Sequence, residues 1–391
     1  MMEVVMGNKV KTKIIALIMA VAMAAVLSGC ASVNVNVNTK ESKETSDQAK
    51  ADDTTQAEDK KETAATEEAS EENEIFTITM PEELDGTYII KSSKNGYSVY
   101  DKEANEAGFG GFVFSVDAYA TPDEYAGGMD MKVGEIVKGD EVLYDVVRQY
   151  PSEVSYDYEK YPDEPPKTYD ALADAADDII ATVKPTGEGE YVPGKGCKGE
   201  DMYGDVIKKF VTAIDEKWDS NKLENEQMSP EYYAIGVSSD HAADNIGYAF
   251  FDVNNDGIDE FLVGEIIDGD AKGTVYDIYT MVERKPAHVI SGSARDRYYA
   301  LTHGLIVNEG SGGADLTEWQ SYDIEPNTTN LMPQLGVKMD GYENKDDPWF
   351  VNYGTENEWK NITEEEFDEY KSRFEYVRFD FTPFSTADIS K

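Results

Sequence analysis

The chain predicts an α+β protein of two domains, each a mainly antiparallel sheet with one or two packed helices, behind a disordered acidic tether. Three observations predict it. Short runs with a period of two recur through residues 75–186 and 200–391. Segments at helical spacing stand before or after those runs rather than between each pair of them. Residues 31–74 hold no aromatic residue and only three valines, Val33, Val35 and Val37, so they cannot bury a core.

Lys9, Lys11 and Lys13 precede an apolar run from Ile14 to Leu27, and small residues close it at Leu27-Ser28-Gly29-Cys30. Basic, apolar and small, in that order, is the plan of an export signal. The run is 14 residues long, well short of the roughly 20 that span a bilayer. The ending resembles the lipobox of bacterial lipoproteins. That resemblance implies cleavage before Cys30, a diacylglyceryl group on its thiol, and often a further acyl chain on the new amine. Residues 1–29 then form the signal peptide, and the mature chain is held on the outer face of the cell membrane by lipid on Cys30. Two or three acyl chains anchor stably where one does not. The other reading is an ordinary cleaved signal with a coincidental cysteine.

Composition excludes several partners. The formal net charge is -44, so nucleic acid, whose binding needs a basic surface, is not a partner. Anionic headgroups would repel the chain as well, which leaves the lipid as anchor. Such acidity favours solubility and attracts divalent cations. With Cys30 lipidated, Cys197 is the one remaining cysteine and no internal disulfide can form. Residues 30–74, with 13 acidic and 5 basic side chains after Cys30, read as a solvated spacer.

The first domain is assigned to residues 75–186. Phe76, Ile78 and Met80 alternate with threonines and stop at Pro81, as a half-buried strand does. Tyr88–Lys91 and Tyr97–Asp101 flank Asn95-Gly96, a pair suited to the positive φ angles of a tight hairpin. Phe112–Val116 and Val142–Val147 read as further strands. From Thr168 the period changes: Tyr169, Leu172, Ala176, Ile179, Ile180 and Val183 share a helical face, ended by Pro185. The motif Phe76-Thr77-Ile78-Thr79-Met80-Pro81 and the stretch Gly108-Phe109-Gly110-Gly111-Phe112 resemble an uncharacterised module of lipoproteins from Gram-positive gut bacteria, which implies no activity. The Gly108–Gly111 cluster lacks the Gly-Lys-Ser/Thr ending of a phosphate loop and reads as a turn or bulge.

Residues 187–199 read as a linker. Gly194, Gly196 and Gly199 match the dinucleotide pattern, but no strong apolar strand precedes them and no βαβ unit surrounds them, so the match is read as empty.

The second domain, residues 200–391, opens on a helix with Ile207, Phe210, Val211, Ile214 and Trp218 on one face. Strand-like runs follow from Gly247 to Ile324. A capping box at Thr363–Glu366 starts a last helix, and Val377, Phe379 and Phe381 alternate as a final strand.

One constellation carries chemistry. In Asp252-Val253-Asn254-Asn255-Asp256-Gly257-Ile258-Asp259-Glu260, oxygen side chains alternate, glycine allows a sharp turn, and an acid closes the ninth place. Calcium wants several hard oxygens turned inward by a tight loop. The candidate ligands are Asp252, Asn254, Asp256, the Ile258 carbonyl and Glu260. Position twelve is Val263 rather than a bidentate glutamate, and the flanks read as strands, so the loop departs from an EF-hand. It resembles the strand-flanked calcium loops of integrin-like repeats. The alternative is an acidic hairpin whose Asp256-Gly257 turn is simply solvated.

No catalytic residue is assigned. His241, His288 and His303 form no HExxH pair. Gly310-Ser311-Gly312-Gly313-Ala314 lacks the spacing of a nucleophile elbow and reads as a flexible loop between strands. Together with the acidic loop it resembles a pattern of uncharacterised Gram-positive lipoproteins. The expected function is a non-enzymatic surface lipoprotein that binds an extracellular ligand or protein and whose C-terminal domain calcium stabilises. The alternative is an extracellular hydrolase of cell-wall or glycan substrates, using acids near the loop or Ser311 with a distant histidine.

Overall fold

Burial of alternating side chains produces two large antiparallel sheets and a two-stranded pair in the computed structural model, which describes residues 71–354 and 358–387. Residues 1–70, which hold the signal peptide, the lipid anchor and most of the spacer assigned to 30–74, lie outside the described residues; at the spacer's end Asn73 is buried, its side chain accepting from the Ile75 and Phe76 amides at 2.9 Å. Glu72–Lys391 cluster as one compact unit, and the class is α+β.

The first sheet contains β2 (Tyr88–Ser92), β3 (Gly96–Asp101), β4 (Phe112–Tyr119), β5 (Asp130–Lys138), β6 (Glu141–Gln149) and β8 (Glu190–Pro193), in the order β2-β3-β4-β6-β5-β8. A separate two-stranded pair joins β1 (Phe76–Thr77) to β7 (Lys184–Pro185). The expected strand through Met80 is therefore shorter, because only Phe76 and Thr77 find a partner. A short helix α1 (Lys102–Glu106) is capped by Asp101, whose side chain accepts from the Ala104 amide. The expected helix after Thr168 is present as two short helices, α2 (Lys167–Asp174) and α3 (Ala176–Ile180). All six residues of its predicted apolar face are buried, in a core with Phe76, Val99, Phe114, Val116, Ile136 and Val146.

The β2–β3 hairpin forms, but neither Asn95 nor Gly96 takes positive φ. Gly96 is required for a different reason. A Cβ there would meet Asp117 Oδ1 at 1.8 Å and the Val116 carbonyl at 2.7 Å. Asp117 itself is partly buried on β4, and burial pushes its carboxyl up to about 6, with Asp130 adding to the rise and the Ser115 hydroxyl opposing it. A raised carboxyl value means the fold disfavours the charged form. The penalty is absent below the ordinary value of 3.8, grows up to about 6 and stays constant above. We expect Asp117→Asn to stabilise the chain at pH 8 by about 1 kcal/mol after allowing for solvent screening, and to leave melting at pH 4 nearly unchanged. An equal gap at both pH values would contradict this.

From residue 199 onward, helices α4 (Glu200–Asp215), α5 (Ser220–Asn225), α6 (Glu231–Ser238) and α7 (Ala242–Asn245) lead into the second sheet. Its strands are β9 (Ile246–Phe251), β10 (Glu260–Glu265), β11 (Val275–Val282), β12 (Lys285–Ser291), β13 (Asp296–Leu301), β14 (Leu305–Gly313), β15 (Leu316–Ile324), β16 (Leu331–Asp340), β17 (Trp349–Tyr353), β18 (Lys360–Asn361) and β19 (Thr382–Pro383). The order is β18-β17-β16-β15-β14-β13-β11-β10-β9-β19, and β12 also pairs with β11. Tyr203, Ile207 and Phe210 of α4 are buried in one core with Tyr248, Phe261, Val263 and Tyr279 of the sheet. At the other end α8 (Glu364–Lys371), with the expected capping box, packs Phe367 against Trp319 and Trp349.

Two expectations are corrected here. Gly310 to Gly313 are not a loop: they belong to β14, and Ser311 pairs with Thr317 of β15. Val377, Phe379 and Phe381 do not make a final strand. Their segment bonds through the Val377 amide to the Ala300 carbonyl at 2.8 Å and turns its aromatic rings into the core beside Val253 and Leu262.

Candidate functional site

The Asp252–Glu260 segment connects β9 to β10 as a hairpin, with Phe251 opposite Glu260, so the expected flanking strands are present. Asn255 (φ 60°) and Gly257 (φ 90°) take left-handed conformations that let the chain reverse tightly. Within the turn, side-chain oxygens satisfy amides that the sheet cannot reach. Asp252 Oδ2 accepts from the Gly257 amide at 3.1 Å, Asn254 Oδ1 from the Asp256 amide at 3.2 Å, and Asp256 Oδ1 from the Ile258 amide at 2.8 Å. Glu260 is fully buried, and its carboxylate accepts from the Val253 amide at 2.7 Å and the Thr280 hydroxyl at 2.9 Å.

The five candidate cation ligands are thus brought to one turn. Their electrostatics are unfavourable without a counter-charge. Burial pushes the Asp256 carboxyl up to about 7, with amide donation from Ile258 opposing it and Asp252 adding to the rise. Burial and the neighbouring Asp256 push Glu260 well above the carboxylate range, and burial raises Asp252 as well. Asp252 Oδ1 is buried with no hydrogen-bond partner. The other side-chain oxygens accept from the loop's own amides and, for Glu260, also from the Thr280 hydroxyl of β11, and among the described residues no three His, Cys, Asp or Glu side chains are grouped to hold one metal ion. The donor types fit a hard cation, and Asp252 Oδ1 is the oxygen free to turn toward one.

The turn is also where the two sheets meet. The Lys132 amide of β5 donates to the Asp256 carbonyl at 2.7 Å. A Cβ on Gly257 would lie 2.2 Å from the Lys132 carbonyl oxygen, so backbone approaches backbone there. The Asp259 amide donates to the Cys197 carbonyl at 2.7 Å, Lys198 Nζ bonds Asp259 Oδ1 at 2.6 Å, and the Tyr203 hydroxyl of α4 donates to the Asp259 carbonyl at 2.8 Å. Asn254 Nδ2 reaches the Ile324 carbonyl at the end of β15 at 3.0 Å.

Beside this contact lies a buried ion cluster that the sequence reading missed. Lys132 Nζ sits 2.7 Å from Glu135 Oε1 and 2.9 Å from Asp145 Oδ1, with side-chain exposures of 3%, 5% and 0% for the three residues. Arg284, from the β11–β12 turn, donates to Asp145 Oδ2 at 3.0 Å and to the Ala120 carbonyl at 2.7 Å. The Tyr125 hydroxyl adds a bond to Asp145 Oδ2 at 3.2 Å. Burial alone would lower the Lys132 amine, but Asp145 and Glu135 raise it, so it is held as an ammonium. Lys132, Glu135, Lys198, Asp256 and Arg284 share the lining of a cavity of about 540 Å³. Lys132 and Glu135 could not be read as buried because β5 alternates charged and apolar residues as any solvated strand would.

The glycine pattern has a packing explanation. A short edge strand, β8, precedes it and α4 follows, but β8 is not apolar and pairs antiparallel with β5, so the glycines stand in no βαβ unit. Gly196 (φ 68°) rests on the ion pair: a Cβ would meet Glu135 Oε1 at 2.0 Å and Lys132 Nζ at 2.6 Å. Cys197 is buried, and its thiol is pushed up to about 12 chiefly by burial, so it is not a reactive thiolate.

His288, Asp277 and Ser291 meet near α4, and His288 lines a second cavity together with Glu200, Asp205 and Lys209. Their geometry is not that of a nucleophile relay. His288 Nε2 lies 3.2 Å from Asp277 Oδ1 and 2.9 Å from Ser291 Oγ, so one ring nitrogen serves both partners, and Ser291 also donates to Asp277. A relay needs the acid and the nucleophile on opposite nitrogens.

The chain matches no protein-family model, no curated protein and no solved structure.

Proposed function

We propose that the chain is a lipoprotein anchored through Cys30 to the extracytoplasmic face of the cell membrane. It binds a ligand or partner without turning it over, and calcium at Asp252, Asn254, Asp256, Ile258 and Glu260 stabilises its C-terminal domain. The observation that supports the calcium reading is the orphaned, buried Asp252 Oδ1 beside two carboxylates that burial drives toward neutrality. A divalent cation supplies the charge that this turn lacks. Ligand binding draws support from the cavity at the meeting of the sheets, whose partly apolar lining carries charged groups of both signs able to orient a bound molecule. The domains at 75–186 and 200–391 would then act as the two walls of that cavity.

Anchoring is tested in cells that express the chain with its signal. The native chain should be recovered with membranes and should incorporate labelled fatty acid. Cys30→Ala should lose the label and appear in the soluble or extracellular fraction. Equal membrane recovery and labelling of both proteins would overturn the anchor. Turnover of a cell-wall or glycan substrate by the purified chain would overturn the non-enzymatic reading.

A further inference from the structure

We propose that Lys132 and Asp145 become joined by an intramolecular amide bond, formed by the chain itself with Glu135 as proton carrier. The proposal stands independently of calcium and of the lipid anchor. It rests on a lysine ammonium enclosed between two carboxylates on neighbouring strands. Glu135 faces Asp145 directly across the β5–β6 ladder, and Lys132 faces Val147 two residues along, so all three side chains leave one face of the hairpin. Nζ touches Glu135 Oε1 at 2.7 Å and Asp145 Oδ1 at 2.9 Å, while Asp145 is wholly excluded from solvent.

The bookkeeping of the step is closed. A lysine ammonium and an aspartate carboxylate have the composition of an amide plus one water, so the reaction needs no cofactor and no oxidant. Glu135 first relays one ammonium proton to Oδ1 of Asp145, so that a neutral amine meets a neutral carboxylic acid, and Nζ then attacks Cγ. Negative charge then develops on Oδ2, the oxygen that Tyr125 O–H and Arg284 Nη2 already address at 3.2 and 3.0 Å. Oδ1 leaves as water, carrying two of the three ammonium protons, one of them relayed by Glu135. The new amide keeps the third. Glu135 ends as it began.

Two physical terms drive the condensation. Nζ is held 2.9 Å from Oδ1, one bond from the carbon it attacks, and well-oriented intramolecular reactions reach effective molarities on the order of 10⁵ M or more. Condensation also removes two buried charges whose desolvation their mutual attraction only partly offsets. The adjoining cavity, which Lys132 and Glu135 line, gives the released water an exit.

The test is a peptide map of the purified full chain by mass spectrometry after digestion. The expected product is a branched peptide that contains Lys132 and Asp145 and is lighter than its two parts by one water. Lys132→Met and Glu135→Gln, each checked for folding by circular dichroism, should yield only the separate peptides. Recovery of unlinked Lys132 and Asp145 peptides alone from the native chain would overturn the proposal. A link that persists in Glu135→Gln would overturn the role of Glu135.

Discussion

Gly257→Ala should cost about 4 kcal/mol of unfolding free energy, or prevent folding, because two penalties coincide at that position. The residue has a φ of 90°, and the added carbon would stand 2.2 Å from the Lys132 carbonyl oxygen and 2.8 Å from its amide nitrogen. Neither contact is the flexible end of a side chain, so strand β5 or the turn must move. Gly110→Ala is the control. Its φ is 85°, yet nothing lies within 4 Å of the added carbon, so only the left-handed strain of roughly 1–2 kcal/mol remains. Urea unfolding of both variants measures the difference. Equal losses would mean that the acidic turn is not pressed against the first sheet.

The second large effect is expected at Tyr203. Its ring is fully buried and stacks on Phe261 at 5.3 Å and Phe250 at 6.0 Å, and its hydroxyl holds the Asp259 carbonyl. Tyr203→Ala leaves a large cavity between α4 and the sheet and should cost about 4 kcal/mol. Tyr203→Phe keeps the ring and removes one bond to a buried carbonyl, at about 1–2 kcal/mol. Equilibrium unfolding orders the three proteins. If Tyr203→Phe were as damaging as Tyr203→Ala, the helix would be held by its hydroxyl rather than by packing.

Residues with a plain periodicity were legible in advance. The helical face from Tyr169 to Val183 is buried as its spacing predicts, Ile207 and Phe210 lie in the core, and Thr363 and Glu366 form their reciprocal cap. The strands flanking the acidic turn were also legible, since Tyr248 to Phe251 and Phe261 to Val263 are apolar runs broken by Asp256-Gly257. Strand β5 was not, because its buried Lys132 and Glu135 look like outward-facing charges until β6 supplies Asp145 beside them. Strands β16 and β17 escaped for a related reason: Gly336, Lys338 and Asn352 interrupt the apolar alternation that marks a strand. Gly310 to Gly313 carry too few side chains to signal pairing, yet backbone bonds to β15 hold them in the sheet. Gly96 and Gly196 were visible as glycines, but the side chains that require them, Asp117 and the Lys132–Glu135 pair, are remote in sequence.

The central proposal is that calcium at the Asp252–Glu260 turn stabilises the C-terminal domain, and thermal melting of the whole chain in calcium and in chelator tests it most directly. A piece beginning at Gly199 would lack Lys132, whose amide the Asp256 carbonyl accepts, so the complete chain is the right sample. With an affinity on the order of 10⁻⁴ to 10⁻³ M, about 10 mM calcium should stabilise the fold by roughly 1–3 kcal/mol, a rise of several degrees. Asp252→Asn, which keeps the shape of the turn and removes the orphaned charge, should lose most of that rise. Identical melting of the native chain in calcium and in chelator would contradict the claim.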